Sequence, residues 1–161
     1  MPRTILLIHG AWLNGASWEV LKNRFEAAGF SVHAPSWPFV VRPPAELRAN
    51  PAKELKKLGQ RQIIGFYEQV IRTLPEKPII IGHSLGGVIA QHLLDRGVGA
   101  AGVAINPAPT PGVSLGPQAI ISALPVFLDP FSGGKVKTMS RSFFRTRFAQ
   151  TVPDDQADAL Y

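Results

Sequence analysis

Between Thr4 and Ile105 the apolar residues alternate between short unbroken runs and helix-spaced stripes. Ile5-Leu6-Leu7-Ile8, after Thr4 and stopped by Gly10, reads as a strand buried on both faces, the kind found in parallel sheets. From Asn14 to Ala28, Trp18, Leu21, Phe25 and Ala28 share one helical face, and Gly29 ends the helix. Phe30 to Ala34 predicts a second short strand. A proline-rich loop runs from Pro35 to Pro51, followed by a helix over Ala52 to Leu74 with Leu55, Leu58, Ile63, Phe66, Val70 and Leu74 as its buried stripe. Pro78 introduces a third strand over Ile79 to Gly82. Ser84 to Arg96 predicts a helix ended by Gly97 and Gly99, and Ala100 to Ile105 a fourth strand.

This order predicts an α/β fold: a mostly parallel sheet with helices on both faces, joined by right-handed crossovers. Past Asn106, Pro107, Pro109, Pro111 and Pro117 break up the chain, and irregular helical pieces run to Tyr161. The expected organisation is a core over residues 1–106 and a helical, cap-like segment over residues 107–161. Four parallel strands would leave Ala100 to Ile105 as an exposed apolar edge. Three accounts fit such an edge: a fragment of a longer chain, a partner chain such as a homo-oligomer mate, or a tail that folds back over it.

The composition is that of a globular chain, 45% hydrophobic and 17% charged. With no cysteine, there is no disulfide framework, thiolate metal site or cysteine nucleophile. Four apolar residues after Arg3 are too few for a signal-peptide core, and Ala119 to Leu128, interrupted by Pro125, is too short for a membrane span. The expectation is a cytoplasmic protein. The net charge of +6 is spread along the chain, with one excess where Lys135, Lys137, Arg141, Arg145 and Arg147 interleave with Phe131, Phe143, Phe144 and Phe148. That segment reads as an amphipathic cap helix, phenylalanines inward and cations in water, rather than a nucleic-acid or membrane contact. No Walker-type sequence, H-E-x-x-H or paired metal-ligand spacing occurs, so neither a cofactor nor a metal is expected.

The chemistry is carried by Gly82-His83-Ser84-Leu85-Gly86-Gly87, set between a predicted strand and a predicted helix. A serine at the tip of so tight a turn is strained, and the positions two before and two after come too close for any side chain larger than hydrogen. Gly82 and Gly86 satisfy that demand. The turn lifts the Ser84 hydroxyl above the C-terminal edge of the sheet, beside a helix N-terminus that favours developing negative charge. Acyl transfer also needs two backbone N–H donors aimed at the oxyanion. Leu85 follows the nucleophile and supplies one; Ala11, on the loop that Gly10 turns after the first strand, is the candidate for the other, with its neighbour Trp12 to be tested. His9, Gly10 and His83 are expected to line the site.

Taken together, I-H-G-A-W, W-E-V-L-K-N-R-F-E-A-A-G-F and I-G-H-S-L-G-G-V-I-A resemble the α/β-hydrolase superfamily, most closely its small esterases and the related hydroxynitrile-lyase group. The resemblance covers Thr4 to about Asn106. It implies Ser84 as nucleophile, an oxyanion hole near Ala11 and Leu85, and a cap inserted after the fourth strand, where Pro107 to Tyr161 begins. The implied substrate is a small ester or related acyl compound. A lyase using the same serine, or an inactive chain that only binds a ligand or partner, are the alternatives.

The base and acid of a triad are what the sequence does not offer. In this superfamily both follow the serine. No histidine follows His92, which lies two turns down the helix, and His33 suits a loop or surface role. Asp95 sits at the far end of that helix, Asp129, Asp154, Asp155 and Asp158 lie in the cap-like segment, and Asn106 is no carboxylate.

Overall fold

The computed structural model describes residues 2–110, 112–114, 116, 136 and 138–161. Pro111, Pro117, Asp129, Phe131, Lys135, Lys137 and the apolar stretch from Ala119 to Leu128 lie outside the described residues. The chain divides into two units: Met1–Val41 with Leu58–Val113, and Arg42–Lys57 with Ser114–Tyr161.

The first unit is built on four strands, β1 (Thr4–Ile8), β2 (Ser31–His33), β3 (Ile79–His83) and β4 (Ala101–Ile105). They lie side by side in the order β2-β1-β3-β4, all parallel, with Leu7 opposite Ile81 and Ile81 opposite Val103. This is the expected α/β sheet, and every strand therefore ends at the same edge. Thr4 begins β1 under Glu76, whose carboxylate accepts from the Arg3 and Thr4 amides at 2.7 and 3.0 Å. Those bonds hold the Glu76 carboxyl below its ordinary range.

Alternation along β1 sends its side chains into two cores. Leu6 and Ile8 join Ile80 under α3 (Gln60–Arg72) and α4 (Leu85–Asp95), while Ile5 and Leu7 join Val32, Ile81 and Trp18. Phe25 of α1 (Glu19–Ala27) packs against this second core. Leu6, Leu7, Ile8, Ile80 and Ile89 are wholly shielded from solvent, and each stabilises the fold by about 2 kcal/mol. Helices thus cover both faces.

Two helical expectations change. The helix over Ala52 to Leu74 is broken: Lys53–Lys57 forms a short 3-10 stretch and α3 starts afresh at Gln60. The break has a local cause, since extended Gly59 donates its N–H to Gln62 Oε1 at 3.1 Å and begins a new helix. The core-facing residues of α3 are Ile63, Ile64, Tyr67 and Ile71, so the stripe is rotated from Phe66, Val70 and Leu74, which are half-buried. Tyr67 accounts for the rotation; it is fully buried with its hydroxyl donating to the Pro35 carbonyl at 3.0 Å. On α1, Leu21 and Ala28 are exposed rather than buried, and only Trp18, in the 3-10 turn before α1, and Phe25 turn inward.

Every residue of β4 is exposed, Val103 by 49%. Among the described residues nothing pairs with its outer edge.

In the second unit, Pro44–Ala49 forms α2, inside the segment expected to be loop; Pro44 falls in its first turn, where a missing N–H costs no hydrogen bond. Two further short helices, α5 (Arg141–Arg147) and α6 (Asp154–Leu160), are tied by Arg141–Asp158 and Arg145–Asp154 ion pairs. Arg145 also donates to the Ala149 and Val152 carbonyls. Arg141 and Arg147 face solvent as expected, and Arg141 and Arg145 are at the same time paired with carboxylates. Phe148 is 46% exposed rather than turned inward, stacked on Phe144 with ring centres 6.2 Å apart.

Candidate active site

Among the described residues, four other than glycine adopt positive φ: Trp12, Phe39, Ser84 and Asn106. Trp12, Ser84 and Asn106 come just after β1, β3 and β4, and Phe39 lies in the loop that follows β2. Backbone strain is thus collected at the C-terminal edge of the sheet. A left-handed residue with a side chain costs of order 1–3 kcal/mol and persists only where its surroundings hold it.

Ser84 carries the sharpest of these turns, with φ 54° and ψ −122° between β3 and α4. A β-carbon on Gly82 would run into the carbonyl of Gly86, as the close-approach argument requires. Gly86 is constrained from a different side than expected. A β-carbon there would strike the carbonyl of Ile8 and come within 2.6 Å of that of His9, so β1 is the obstacle. Gly10 is close-packed but less so: an added methyl would stand 3.0 Å from Ser84 Cβ and 3.2 Å from the His83 carbonyl oxygen. Gly10, Gly82, Ser84 and Gly86 are therefore gathered at one point.

The turn is anchored by its own backbone. Ser84 donates its N–H to the Ile105 carbonyl at 3.1 Å, and its carbonyl accepts from Gly87 and Ala108, each at 3.0 Å. Leu85 is the first residue of α4, an eleven-residue helix, so its N–H is among those left without an intrahelical acceptor. Ala11 is half-buried on the loop after β1, and Trp12 is 42% exposed. Among the described residues the Ser84 hydroxyl makes no hydrogen bond.

A cleft of about 260 Å³ opens at the same edge, lined by His9, Leu13, Ser17, Trp18, Leu21, His83 and Ile105. His9 and His83 thus both face it. Burial pushes the His83 imidazole below its ordinary value. His9, fully buried, is driven down to about 4 by burial, against an opposing hydrogen bond to the Gly10 carbonyl. Its ring stacks on Trp37 at 4.6 Å. Trp37 is not among the site residues expected from the sequence; its one local signal is its place between Pro35 and Pro38.

The other histidines and acids lie elsewhere. His92 and Asp95 are exposed on α4, and His33 sits at the end of β2, 3.4 Å from Ser31 Oγ. Asp154 and Asp158 are occupied by arginines of α5. Among the described residues no group of three His, Asp or Glu side chains could hold a metal, and no helix is long and apolar enough to cross a membrane.

A family model described as "Alpha/beta hydrolase family" matches residues 5–160. A search among curated proteins finds no match. Among solved structures, an extracellular alpha/beta-hydrolase from a Paenibacillus species is 24% identical with a TM-score of 0.73, covering 99% of this chain and 64% of its own. A pyrethroid hydrolase from Sphingobium faniae is 25% identical with a TM-score of 0.56, covering 78% of this chain and 51% of its own. Polyneuridine aldehyde esterase is 19% identical with a TM-score of 0.63, covering 99% and 66%. The chain thus spans less than two thirds of the length of these relatives.

Proposed function

This chain belongs to the alpha/beta hydrolase family, and from that premise we propose that it carries the nucleophile and oxyanion half of a serine hydrolase acting on a small ester or related acyl compound. The observation that carries the reading is the backbone of Ser84, at φ 54° and ψ −122°, on a turn into which only glycine fits at positions 82 and 86. Strain of that kind presents a side chain at the sheet edge and does nothing for stability.

In this reading Ser84 Oγ attacks the ester carbonyl carbon, and the carbonyl oxygen becomes an oxyanion facing the N–H groups of Leu85 and Ala11, with Trp12 as the alternative donor. The N-terminal end of α4 adds a favourable potential for that charge. Collapse of the tetrahedral species expels the alcohol and leaves an acyl-serine, which water then cleaves. The serine proton passes to a base held by a carboxylate and from there to the departing alcohol; in this reading both groups come from polypeptide outside these 161 residues. Trp18, Leu21 and Ile105 give the cleft beside His83, the neighbour of Ser84, apolar walls that suit a small hydrophobic acyl or alcohol group. Two of the similar structures are named as an esterase and a pyrethroid hydrolase, which agrees with an ester substrate.

The test is labelling with a fluorophosphonate probe, followed by peptide mass spectrometry, on this chain joined to the polypeptide that supplies the base and its carboxylate. The modified residue should be Ser84, and Ser84→Ala should not label. An unlabelled parent protein would instead favour a chain that binds without catalysis, and a label elsewhere would remove Ser84 from the role.

A further inference from the structure

We infer that His9 is a positioning residue that sets the tilt of the Gly10–Ala11 peptide and so aims the Ala11 N–H; the inference rests on Ala11 being an oxyanion donor, as proposed above.

Both ring nitrogens of His9 are committed to backbone. Trp37 donates its N–H to Nε2 at 3.1 Å, so Nε2 is the unprotonated nitrogen. The proton is therefore on Nδ1, which lies 2.9 Å from the carbonyl oxygen of Gly10 and donates to it. Stacking on Trp37 and complete burial leave the ring no freedom to swing. The neutral form is the one this arrangement needs, because a second proton on Nε2 would face the Trp37 N–H. Burial, which pushes His9 down to about 4, keeps it neutral.

The consequence follows from peptide geometry. The chain has no cis peptide bonds among the described residues, so the Gly10 carbonyl and the Ala11 N–H point in opposite directions across one rigid plane. Holding the carbonyl toward the imidazole turns the N–H away from it. Gly10 has no side chain to restrain this plane, and an added β-carbon there would stand 3.0 Å from Ser84 Cβ. The plane turns about Gly10 ψ and Ala11 φ, and the imidazole supplies a hydrogen bond that fixes it. A buried imidazole N–H needs an acceptor in any case; what ties this one to the oxyanion loop is that its acceptor is the carbonyl of the very peptide that carries the Ala11 N–H.

Two variants separate the two arms of the ring. His9→Asn places an amide donor where Nδ1 lies and abandons Trp37; His9→Gln reaches Trp37 with its amide oxygen and abandons Gly10. Both lose comparable packing. The measurements are the Ala11 backbone amide in a ¹H–¹⁵N spectrum, with its hydrogen-exchange rate, and the second-order rate of fluorophosphonate labelling at Ser84. H9Q should shift the Ala11 amide and slow labelling on the order of 10- to 100-fold, as misaiming one oxyanion donor does. H9N should keep the parent amide shift and recover most of the labelling rate. Equal behaviour of the two variants, or loss in H9N with retention in H9Q, would overturn the inference. If the parent protein does not label at all, the proposed function fails, and the Ala11 amide alone decides the positioning role. A third variant, His9→Phe, keeps the stacking ring and drops both arms; it should resemble H9Q.

Discussion

The backbone N–H of Ser84 donates to the carbonyl of Ile105 at 3.1 Å, so the strained serine is tethered to the last residue of the outermost strand. Ala108 then returns a hydrogen bond to the Ser84 carbonyl. The turn that presents the hydroxyl is therefore held from β4 as well as from its own strand and helix.

Because that turn keeps a side chain at φ 54°, replacing it with glycine should relieve strain. Ser84→Gly is expected to raise unfolding stability by about 1 kcal/mol in urea titration, while Ser84→Ala leaves it unchanged. Both should be unreactive. A glycine variant no more stable than the alanine variant would mean the position stores no strain.

The glycines of the first unit are not equivalent. Gly82→Ala and Gly86→Ala drive a methyl group into backbone carbonyls and should cost more than about 3 kcal/mol, giving little folded protein. Gly65, inside α3, has nothing within 4 Å of an added β-carbon. Gly65→Ala should therefore stabilise by about 0.5–1 kcal/mol through helix propensity. Thermal melts of the three variants give the ordering.

His9 makes stability depend on pH in a defined direction. Its folded value, about 4, lies below the unfolded 6.5, so between those limits the unfolded chain binds more protons. The contribution is fully present above pH 6.5 and is lost as pH falls through 4, amounting to on the order of 3 kcal/mol. Urea midpoints at pH 7.5 and 4.5 should differ less in His9→Asn than in the parent. An identical pH slope in the two proteins would show that His9 is not buried in its neutral form.

The exposed edge strand carries its own prediction. Ala100 to Ile105 contains no charge and no proline, the devices that usually blunt an edge. Val103→Lys places a cation on the half-exposed centre of β4 without touching the Ile105 carbonyl that holds Ser84. Light scattering at rising concentration should fall relative to the parent, with labelling at Ser84 kept. Scattering that does not change would show that the edge is not where copies associate.

The strands were legible because they are continuous apolar runs bounded by glycine or proline, and burial on both faces demands little else. The serine turn was legible for a related reason: only glycine tolerates carbonyls at the distances found at positions 82 and 86. The rotated stripe of α3 was not, because Tyr67 looks like a surface residue until Pro35 supplies a buried acceptor. Nor was the restart at Gly59, which depends on a single side chain folding back.

What the amino-acid order determined alone is the local chemistry: alternating elements, a glycine-flanked serine and an apolar edge strand. Which groups meet was decided only in three dimensions. Gly86 answers to Ile8, Ser84 to Ile105 and His9 to Trp37, pairs separated by 78, 21 and 28 residues. No local propensity encodes such meetings. They arise because parallel strands bring all their ends to one edge, where the backbone groups they leave unpaired must find partners in each other.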